Sequence, residues 1–390
     1  MDEHEENERI LDPKRLRLRG VFGNQVKIIF RTMRMSKPEL ENLEIAMKDI
    51  QETLNKLWKG CVVKPFGSVV TKLALKSSDL DCIVDVRPPE DPIQCVEKAF
   101  HFLSNTETQF QVVSKKTHTK VPCMRIFHKG MNKYCDISFS SPIAVEVASL
   151  FAYLLDIDKT RSLALLLKYW SKVHKIAGTQ LLPNSALTIL LIVFLQRENI
   201  LPPIAMLQKN VPPVMMDGWN VAFERINYES NTTKSIYQLL GEFFEFYSEF
   251  KFVNLLISPY LGGFVDRKCF SNINTVPPEF ELYEERNATG DRGTIAVQGC
   301  IVCVQCPFDH SRNIAIAVKP PLAHRIIQCF REAAASYRKY PKHDFLKSIL
   351  NVYESNNTRQ FNQGAGRMRG GRRGRLPQKA RKDRRSGYIV

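Results

Sequence analysis

Two carboxylates that lie one residue apart stand at the start of an apolar run. Asp79 and Asp81 flank Leu80, and the apolar residues 82–84 follow. Alternate residues of a strand point to one face, so both carboxylates are expected to face the same point. Hard cations such as Mg²⁺ bind oxygen ligands of this kind. Two solvated acids at the start of a strand are the alternative, which a pair in isolation favours.

A third carboxylate, Asp136, interrupts a later strand-like segment, residues 134–139. That segment follows another, residues 121–127, after the sequence HisLysGlyMetAsnLys, which predicts a β-hairpin. For Asp136 alone, an outward-facing polar residue of a strand is the alternative. If its strand lies beside Asp79 and Asp81, three carboxylates converge. They could then hold two Mg²⁺ or Mn²⁺ ions roughly 3.5–4 Å apart, an arrangement that suits phosphoryl or nucleotidyl transfer.

Gly67 and Ser68 precede this carboxylate pair by about ten residues and stand before a predicted helix over 69–76. Glycine allows the backbone to approach a ligand, and a helix N-terminus attracts phosphate. An ordinary turn with a helix cap is the alternative.

Lys168 and Lys172 are four residues apart in an apolar segment that is predicted to be helical. Residues at this spacing share one helix face. A solvated face is the alternative, but in a protein that handles triphosphates both ammonium groups are candidates for binding the β- and γ-phosphates.

The hydrophobic periodicity predicts an α/β (α+β) domain with a mixed sheet over residues 58–141, followed by a mostly helical domain over 142–355. Residues 1–20 are expected to be flexible, and 21–57 to form a helical segment that packs on the central, helical domain. The strands are predicted at 61–63, 80–86, 110–113, 121–127 and 134–139. The helices are predicted at 69–76, 92–104, 143–155, 161–177, 185–198, 236–252, 322–340 and 345–353.

The net charge of +16 is unevenly distributed. Residues 359–390 contain eleven Lys or Arg residues and one acid, and the rest of the chain remains basic. A polyanionic partner is the natural inference. The tail 356–390 is rich in Gly and Arg and is expected to be disordered. RNA contact through this tail is predicted for Arg367, Arg369, Arg372, Arg373 and Arg375; a nuclear import signal or a solubilising end are the alternatives.

The acidic N-terminus argues against a secretory signal or mitochondrial presequence, and no apolar run is long enough to span a bilayer. The ten cysteines lack paired spacing and are expected to be reduced thiols. A cytoplasmic or nuclear protein, not secreted and not in a membrane, is therefore predicted. Cys300, Cys303, Cys306 and His310 have spacing that would permit zinc, but a metal-free strand of small residues is favoured.

Taken together, these motifs resemble a known family. PheGlySer, then AspLeuAsp ten residues later, and CysAspIleSerPhe resemble the polymerase β-like nucleotidyltransferases. More narrowly, the chain resembles the noncanonical poly(A) polymerases and terminal uridylyltransferases. Segments 184–196, 217–223, 239–247 and 304–315 are similar to that family's central (PAP-associated) domain. The resemblance covers about residues 35–340.

The resemblance implies a two-domain enzyme that holds a nucleoside triphosphate in the cleft between its domains. It implies that Asp79, Asp81 and Asp136 are catalytic and bind two Mg²⁺ or Mn²⁺ ions. It also implies a nucleotide site, for which the matching positions are Gly67, Ser68, Lys168, Lys172, Asn184, Ser185, Asp309 and Arg312.

Three positions depart from the family's pattern. An Asn-Ser or Asn-Thr pair that contacts the sugar is replaced by the region 145–148, which reads ValGluValAla. Ser185 stands where an aromatic residue usually stacks on the base. Arg312 stands where uridylyl-adding members carry a His, while Asp309 keeps the acidic residue before it and Cys306 replaces an Asp.

The sequence thus predicts a template-independent RNA 3′-terminal nucleotidyltransferase that adds UMP or AMP from UTP or ATP. Its partners are RNA 3′ ends, and because no RNA-recognition motif precedes the core, an RNA-targeting protein partner is a further expectation. The chain is expected to be a monomer. The alternative is a catalytically weak RNA-binding or scaffold protein that retains the fold.

Overall fold

The computed structural model describes residues 12–351, apart from Lys120, Ser141, Thr179, Asn231, 272–274 and 291–292. The predictions for residues 1–11 and for the tail, including its five arginines, lie outside the described residues. The described residues form one compact unit with two separate hydrophobic clusters. No helix among them is both long and apolar enough to cross a bilayer.

A five-stranded mixed sheet positions the carboxylates. Its order is β1-β2-β5-β4-β3, with only the β2–β5 pair parallel. The strands are β1 (Val62–Phe66), β2 (Leu80–Asp85), β3 (Phe110–Lys116), β4 (Cys123–His128) and β5 (Lys133–Ser138). All five strands that the periodicity predicts are present, with shifted ends, and the predicted hairpin connects β4 to β5. The fold class is therefore confirmed for this part of the chain.

Two stretches of helix precede the sheet. α1 (Phe22–Met33) packs Phe22, Val26 and Ile29 on the helical cluster. α2 (Lys37–Asn55) begins with a capping box in which Ser36 and Glu39 satisfy each other's backbone N–H groups. It buries Leu43, Ala46, Ile50 and Leu54 against the sheet instead. The segment 21–57 thus divides between the two clusters and does not pack only on the helical part.

The segment before α1 differs from the sequence-based expectation. Residues 1–20 are predicted to be flexible, yet Leu16 and Leu18 are buried in the helical cluster. The Gln25 side chain donates hydrogen bonds to the backbone oxygens of Gly20 and His343, at 3.0 and 2.6 Å. These contacts tie residues 12–20 to the body of the protein.

One predicted helix is wrong. The pattern predicts a helix over 69–76, whereas α3 (Gly67–Val70) is a single turn that begins two residues earlier. After Thr71 the chain forms turns, and Leu75 pairs with Arg34 in an isolated bridge. The Ser78 side chain accepts a hydrogen bond from the Leu75 N–H, which replaces the hydrogen bonding that a longer helix would provide.

The other predicted helices are present to within a few residues at each end, and two short helices that the pattern does not predict, Ile204–Gln208 and Glu281–Ala288, are added to them. α4 (Pro92–Asn105) covers the sheet, and the helical part contains most of the others. They are α5 (Ile143–Asp156), α6 (Thr160–Val173), α7 (Asn184–Arg197), α8 (Ile204–Gln208), α9 (Ile236–Glu249), α10 (Glu281–Ala288), α11 (Pro320–Lys339) and α12 (Lys342–Leu350). Short antiparallel pairs, β6 (Met215–Met216) with β7 (Trp219–Asn220) and β8 (Leu255–Ser258) with β9 (Gly263–Asp266), complete the fold.

Candidate active site

The three carboxylates come from one end of two neighbouring parallel strands. Asp81 on β2 is the direct register partner of Asp136 on β5. Asp79 lies immediately before β2. Paired residues on adjacent strands point to the same face of a sheet. The convergence that the sequence suggests is therefore present in the structure.

These carboxylates line a cavity of about 430 Å³. One wall comes from the sheet and its α3 turn, and the opposite wall comes from helices α5, α6 and α7. Of the residues predicted to bind nucleotide or metal, those that line it are Gly67, Ser68, Asp79, Asp81, Asp136, Lys168, Lys172, Asn184, Ser185 and Arg312.

Position 67 requires a glycine because its backbone lies close to the Asp81 carboxylate. Its φ is +67°, in the left-handed region, and a Cβ there would lie 2.5 Å from the Asp81 Oδ2 atom. The glycine therefore gives space to a carboxylate of the protein itself, whereas the sequence suggested space for a ligand. Ser68 follows at the start of a single helical turn, so a long helix dipole does not act on this site.

Arg125 is a functional residue that the sequence reasoning missed. Its Nη2 donates to Asp79 Oδ2 at 2.5 Å, and its Nη1 lies 3.4 Å from Asp136 Oδ2. Its guanidinium also lies over the Tyr134 ring, at 4.7 Å from the centroid. The hairpin could have revealed it, because counting back from the turn places Arg125 opposite Asp136.

The close approach of like charges changes the acidity of the carboxyl groups. Burial, together with the Asp136 and Asp79 charges, raises the pKa of Asp81 to about 7. Burial also raises the pKa of Asp136, although Arg125 opposes that shift. Carboxyl groups that are kept close together and away from water favour a bound cation or proton.

The donor chemistry fits divalent metal ions, but the side chains are not arranged as a ready ligand set. Within residues 12–351, gaps excepted, no group of three Asp, Glu, His or Cys side chains has metal-binding geometry. The physical reason is that Arg125 binds one oxygen of Asp79 and approaches one of Asp136. Mg²⁺ and Mn²⁺ prefer carboxylate oxygens, so Asp79, Asp81 and Asp136 would hold such ions after turning from Arg125.

Replacing Arg125 with methionine should make stability more dependent on divalent cations. Without the guanidinium, the carboxylates lose their counter-charge and no cation has to displace Arg125. Mn²⁺ should therefore raise the melting temperature more in Arg125→Met than in the unaltered protein. A tenfold gain in affinity corresponds to about 1.4 kcal/mol of extra stabilisation at saturating Mn²⁺.

The matched control for this experiment is Arg87→Met. Arg87 pairs with Asp85 at the far, exposed end of β2. Differential scanning calorimetry with and without Mn²⁺ measures both variants. Equal Mn²⁺ shifts in Arg125→Met, Arg87→Met and the unaltered protein would show that Arg125 does not compete with the cation.

The two lysines of α6 face this cavity, so the solvated-face alternative is wrong. Lys168 is buried, and its Nζ donates to the Leu73 backbone oxygen at 2.7 Å and lies 3.3 Å from Ser78 Oγ. Burial and the neighbouring Lys172 lower the pKa of Lys168 to about 7. Burial also lowers the pKa of Lys172, which the Asp79 charge opposes. An anionic ligand in the cavity would favour the charged form of both lysines and raise both pKa values.

Lys168→Met should stabilise the protein more near neutral pH than at alkaline pH. A lysine whose pKa is lowered in the folded state makes the fold less stable at every pH below that lowered pKa. This destabilisation shrinks as the pH rises from the folded pKa to the pKa of the unfolded chain, because the folded state gives up its proton first. Between about pH 7 and pH 10.5 the difference between variant and unaltered protein should shrink by up to about 1.4 kcal/mol per pH unit. Urea unfolding at several pH values measures it, with exposed Lys209→Met as the control; equal pH dependence in both variants would contradict the buried charge.

The helical wall of the cavity is mainly apolar. Ala144, Val147, Ala148 and Phe151 of α5 line it, in the region where the expected Asn-Ser or Asn-Thr pair is missing. Asn184, Ser185 and Thr188 of α7 supply polar atoms, with Leu187 and Leu191 beside them. The cavity thus has a charged end at the sheet and an apolar helical wall.

Arg312 and Asp309 have different positions. Arg312 lines the cavity, and among the described residues its guanidinium has no ion pair. Asp309 does not line it; its Oδ1 accepts from the Ser311 N–H at 3.1 Å and from the Ser311 hydroxyl at 2.6 Å. The prediction that Asp309 binds nucleotide therefore has no support from this geometry.

His310, one of the residues with zinc-compatible spacing, lies among aromatic rings. Its ring is 4.3 Å from that of Tyr260, 5.1 Å from that of Phe280 and 5.4 Å from that of Trp219, centroid to centroid. Burial lowers the pKa of His310 to about 3, so the ring is neutral. Cys303 lies elsewhere, with its Sγ accepting a hydrogen bond from the Asn313 side chain at 3.5 Å.

The part of the chain that contains the sheet and the carboxylates is similar to a known protein domain. Residues 22–156 match the family model described as "Poly(A) RNA polymerase, mitochondrial-like, central palm domain". This range contains the sheet, Gly67, Ser68 and all three carboxylates. This part of the chain is therefore similar to the central palm domain of the noncanonical poly(A) polymerases. The resemblance that the sequence motifs indicate is thereby confirmed.

Relatives within this family extend beyond the chain. The Xenopus tropicalis "Speckle targeted PIP5K1A-regulated poly(A) polymerase" is 24% identical over 387 residues, covering 80% of this chain and 44% of that protein. The Drosophila melanogaster "Poly(A) RNA polymerase, mitochondrial" is 26% identical over 308 residues, covering 68% and 50%. The chain therefore spans about half the length of these relatives.

Solved structures agree on the fold. The crystal structure of mtPAP in complex with UTP superposes with a TM-score of 0.72 at 18% identity, covering 88% of this chain and 75% of that one. The Cid1 poly(U) polymerase with bound MgGTP gives 0.69 at 18% identity, covering 85% and 99%. At 88% and 85% coverage, these similarities extend over both the sheet and the helical part of the chain.

Proposed function

We propose that the chain adds nucleotides to RNA 3′ ends from a nucleoside triphosphate, without a template. The observation that carries the proposal is one cavity with three converging carboxylates on one wall and two lysines, Lys168 and Lys172, on the other. Enzymes that transfer phosphoryl or nucleotidyl groups from a nucleoside triphosphate need both a site for divalent cations and a site for a polyphosphate. The Drosophila melanogaster relative is named a poly(A) RNA polymerase and the structural neighbour Cid1 a poly(U) polymerase, and both names agree with this reaction.

Each side chain has a role in this reaction. When bound, two divalent cations lower the pKa of the attacking 3′-hydroxyl and stabilise the leaving pyrophosphate. Asp79, Asp81 and Asp136 would hold these cations. Lys168 and Lys172 face the triphosphate, whose negative charge favours their protonated forms. Ser68 donates its hydroxyl and backbone N–H to a phosphate oxygen.

We propose that UTP is the preferred nucleotide. Arg312 is a donor without an acceptor atom, and it has no ion pair in the described part of the chain. Uracil presents a carbonyl acceptor where adenine presents an amino donor. A donor in the cavity therefore pairs with uracil and opposes adenine. The relatives' names do not decide this point, since they include both poly(A) and poly(U) polymerases.

One assay tests both statements. Purified full-length protein is incubated with end-labelled RNA, Mg²⁺ or Mn²⁺, and each of the four nucleoside triphosphates. Extension with UTP in excess of ATP supports the proposal, and Arg312→Gln should reduce that preference. Extension with ATP in excess of UTP would overturn the base choice. No extension with any nucleotide would overturn the reaction and leave a scaffold that retains the fold.

Partner and location belong to the same proposal. RNA 3′ ends are the acceptors, the chain acts as a monomer, and an RNA-targeting protein selects among RNAs. A location in the cytoplasm or nucleus agrees with the free cysteines and with the basic net charge of the chain. Light scattering of the purified protein measures the oligomeric state; a stable dimer would contradict the monomer.

A further inference from the structure

One ordered surface segment has a charge pattern that the proposed active site does not use. Residues 13–37 contain eight basic residues and no acid. All eight side chains are exposed. We name them the N-terminal basic strip: Lys14, Arg15, Arg17, Arg19, Lys27, Arg31, Arg34 and Lys37. Signs are interspersed on most protein surfaces, so a strip of one sign indicates a charged partner.

The strip is fixed to the body by the apolar residues between its charges. Leu16 and Leu18 are buried while Arg15, Arg17 and Arg19 alternate with them in solvent. On α1, the buried positions are 22, 25, 26, 29 and 33, whereas Lys27 and Arg31 lie four residues apart on the exposed face, and Arg34 is exposed just after the helix ends. The backbone that carries these cations is therefore ordered before any ligand binds, which lowers the entropic cost of binding.

Most of these charges are not neutralised. Arg15 lies 4.0 Å from Asp12, and Lys37 lies 3.6 Å from Glu41; both pairs are exposed and weak. The other six make no ion pair with any residue that the structure describes. The strip thus presents an electropositive surface that a polyanion would neutralise.

One end of the strip is joined to the wall of the active-site cavity. Arg34 pairs with Leu75, and the Lys76 N–H donates to the Met33 oxygen at 2.9 Å. In the same loop, Leu73 and Ser78 line the cavity and bind Lys168. Lys133 adds a further cation there, since its Nζ donates to the Lys76 oxygen at 2.8 Å.

We infer that the N-terminal basic strip binds the phosphate backbone of the acceptor RNA upstream of its 3′ end. This inference rests on the proposed function, which places that 3′ end in the cavity. The strip's exposed side chains are cations without interleaved exposed aromatic rings, so contacts are to phosphates and independent of sequence. Single-stranded RNA fits better than an anionic membrane, because one end of the strip leads into the cavity.

The test neutralises four charges in the full-length protein. The strip variant carries Arg17→Gln, Arg19→Gln, Lys27→Gln and Arg31→Gln. Its control carries four glutamines at exposed cations elsewhere, which have no ion pair among the described residues: Lys56, Lys59, Lys209 and Lys268. Both change the net charge equally, and circular dichroism melts confirm that both fold.

The first readout is the binding of labelled single-stranded RNA by fluorescence anisotropy over a range of salt. Four lost phosphate contacts should flatten the slope of log affinity against log salt by about 2.8. When the salt rises from about 50 to 200 mM, the strip variant should therefore lose roughly 50-fold less RNA affinity than the unaltered protein loses. The control variant should keep a slope close to that of the unaltered protein.

The second readout separates this inference from the proposed function. If the enzyme extends RNA, the strip variant should raise the KM for a long RNA at least tenfold and leave the KM for the triphosphate unchanged. If the strip variant and the control variant have equal salt slopes, the inference that the strip binds RNA is wrong, even if extension is normal. A flattened slope without any extension overturns the reaction but leaves the RNA surface. Loss of binding to phosphatidylserine vesicles, with RNA binding intact, overturns the RNA assignment.

Discussion

Replacing Asp81 with asparagine should reduce nucleotide addition by about a thousandfold or more. Asp81 is the direct neighbour of Asp136, and its carboxylate is the one that Gly67 makes room for. An amide has the same size but no charge, so it holds a divalent cation far less well. Loss of several kcal/mol of stabilisation of the transition state corresponds to about this factor. Incorporation of labelled nucleotide into RNA measures it.

The same substitution should not weaken the fold at neutral pH. A carboxyl whose folded pKa is raised, as that of Asp81 is to about 7, destabilises the folded state once it is ionised. The sign follows from proton binding: the folded state holds more protons than the unfolded state between about pH 4 and 7, so stability falls as pH rises through that window. Asparagine removes this loss. Without divalent cations, the variant should be at least as stable as the unaltered protein at about pH 8.

The two measurements together give a decisive outcome. Urea unfolding with chelator at about pH 5 and about pH 8 should show that the advantage of Asp81→Asn grows with pH. Asp85→Asn, farther along β2 and paired with Arg87, is the control that should keep activity. If Asp81→Asn retains more than a tenth of the activity, the carboxylates are not the metal site. If it is less stable at pH 8, the converging charges are not destabilising.

The sheet and its carboxylates could be predicted from the sequence because local patterns determine them. Alternation defines the strands, and the turn between His128 and Lys133 fixes the register of β4 against β5. This register fixes the position of Asp136 on β5. The parallel pairing of β5 with β2 then places Asp136 beside Asp81. The helices of the second part were predictable for a similar reason, since α6 and α7 are apolar enough to be buried on several faces.

The features that the sequence reasoning missed depend on contacts between distant segments. Arg125 reads as an ordinary strand residue until Asp79, 46 positions earlier, is placed beside it. For Lys168, spacing alone leaves a solvated face and a phosphate site both open, and only the loop at Leu73, which covers the side chain, decides against the solvated face. The helix over 69–76 fails because Leu75 pairs with Arg34, a tertiary contact that overrides local propensity.

The burial of Leu16 and Leu18 was missed for a similar reason. Two leucines among arginines have too little apolar area to predict a fixed structure by themselves. Gln25, which bonds both Gly20 and the distant His343, supplies the missing constraint. Charge counts can identify such a basic segment, but only the structure shows that its cations are held in place beside the cavity.

Gly67→Ala should reduce activity far more than stability. At φ +67° any side chain costs roughly 1–2 kcal/mol of backbone strain. The added Cβ would also lie 2.5 Å from Asp81 Oδ2, the movable end of a side chain. The carboxylate can turn away at little further cost to folding, but it then leaves its place beside Asp136. We expect the activity to fall at least a hundredfold, measured by the same incorporation assay.

Gly60→Ala separates strain from displacement. Gly60 has φ +81°, and a Cβ there meets no atom within 4 Å, so this control carries the backbone strain alone. Both variants should lose similar stability in urea, while only Gly67→Ala should lose activity and Mn²⁺ affinity. Equal activity in the two would mean that the position of the Asp81 carboxylate is not critical. A selective loss would mean that the glycine before Ser68 serves the carboxylates, and that the Gly-Ser signal and the paired Asp signal are two parts of one constraint.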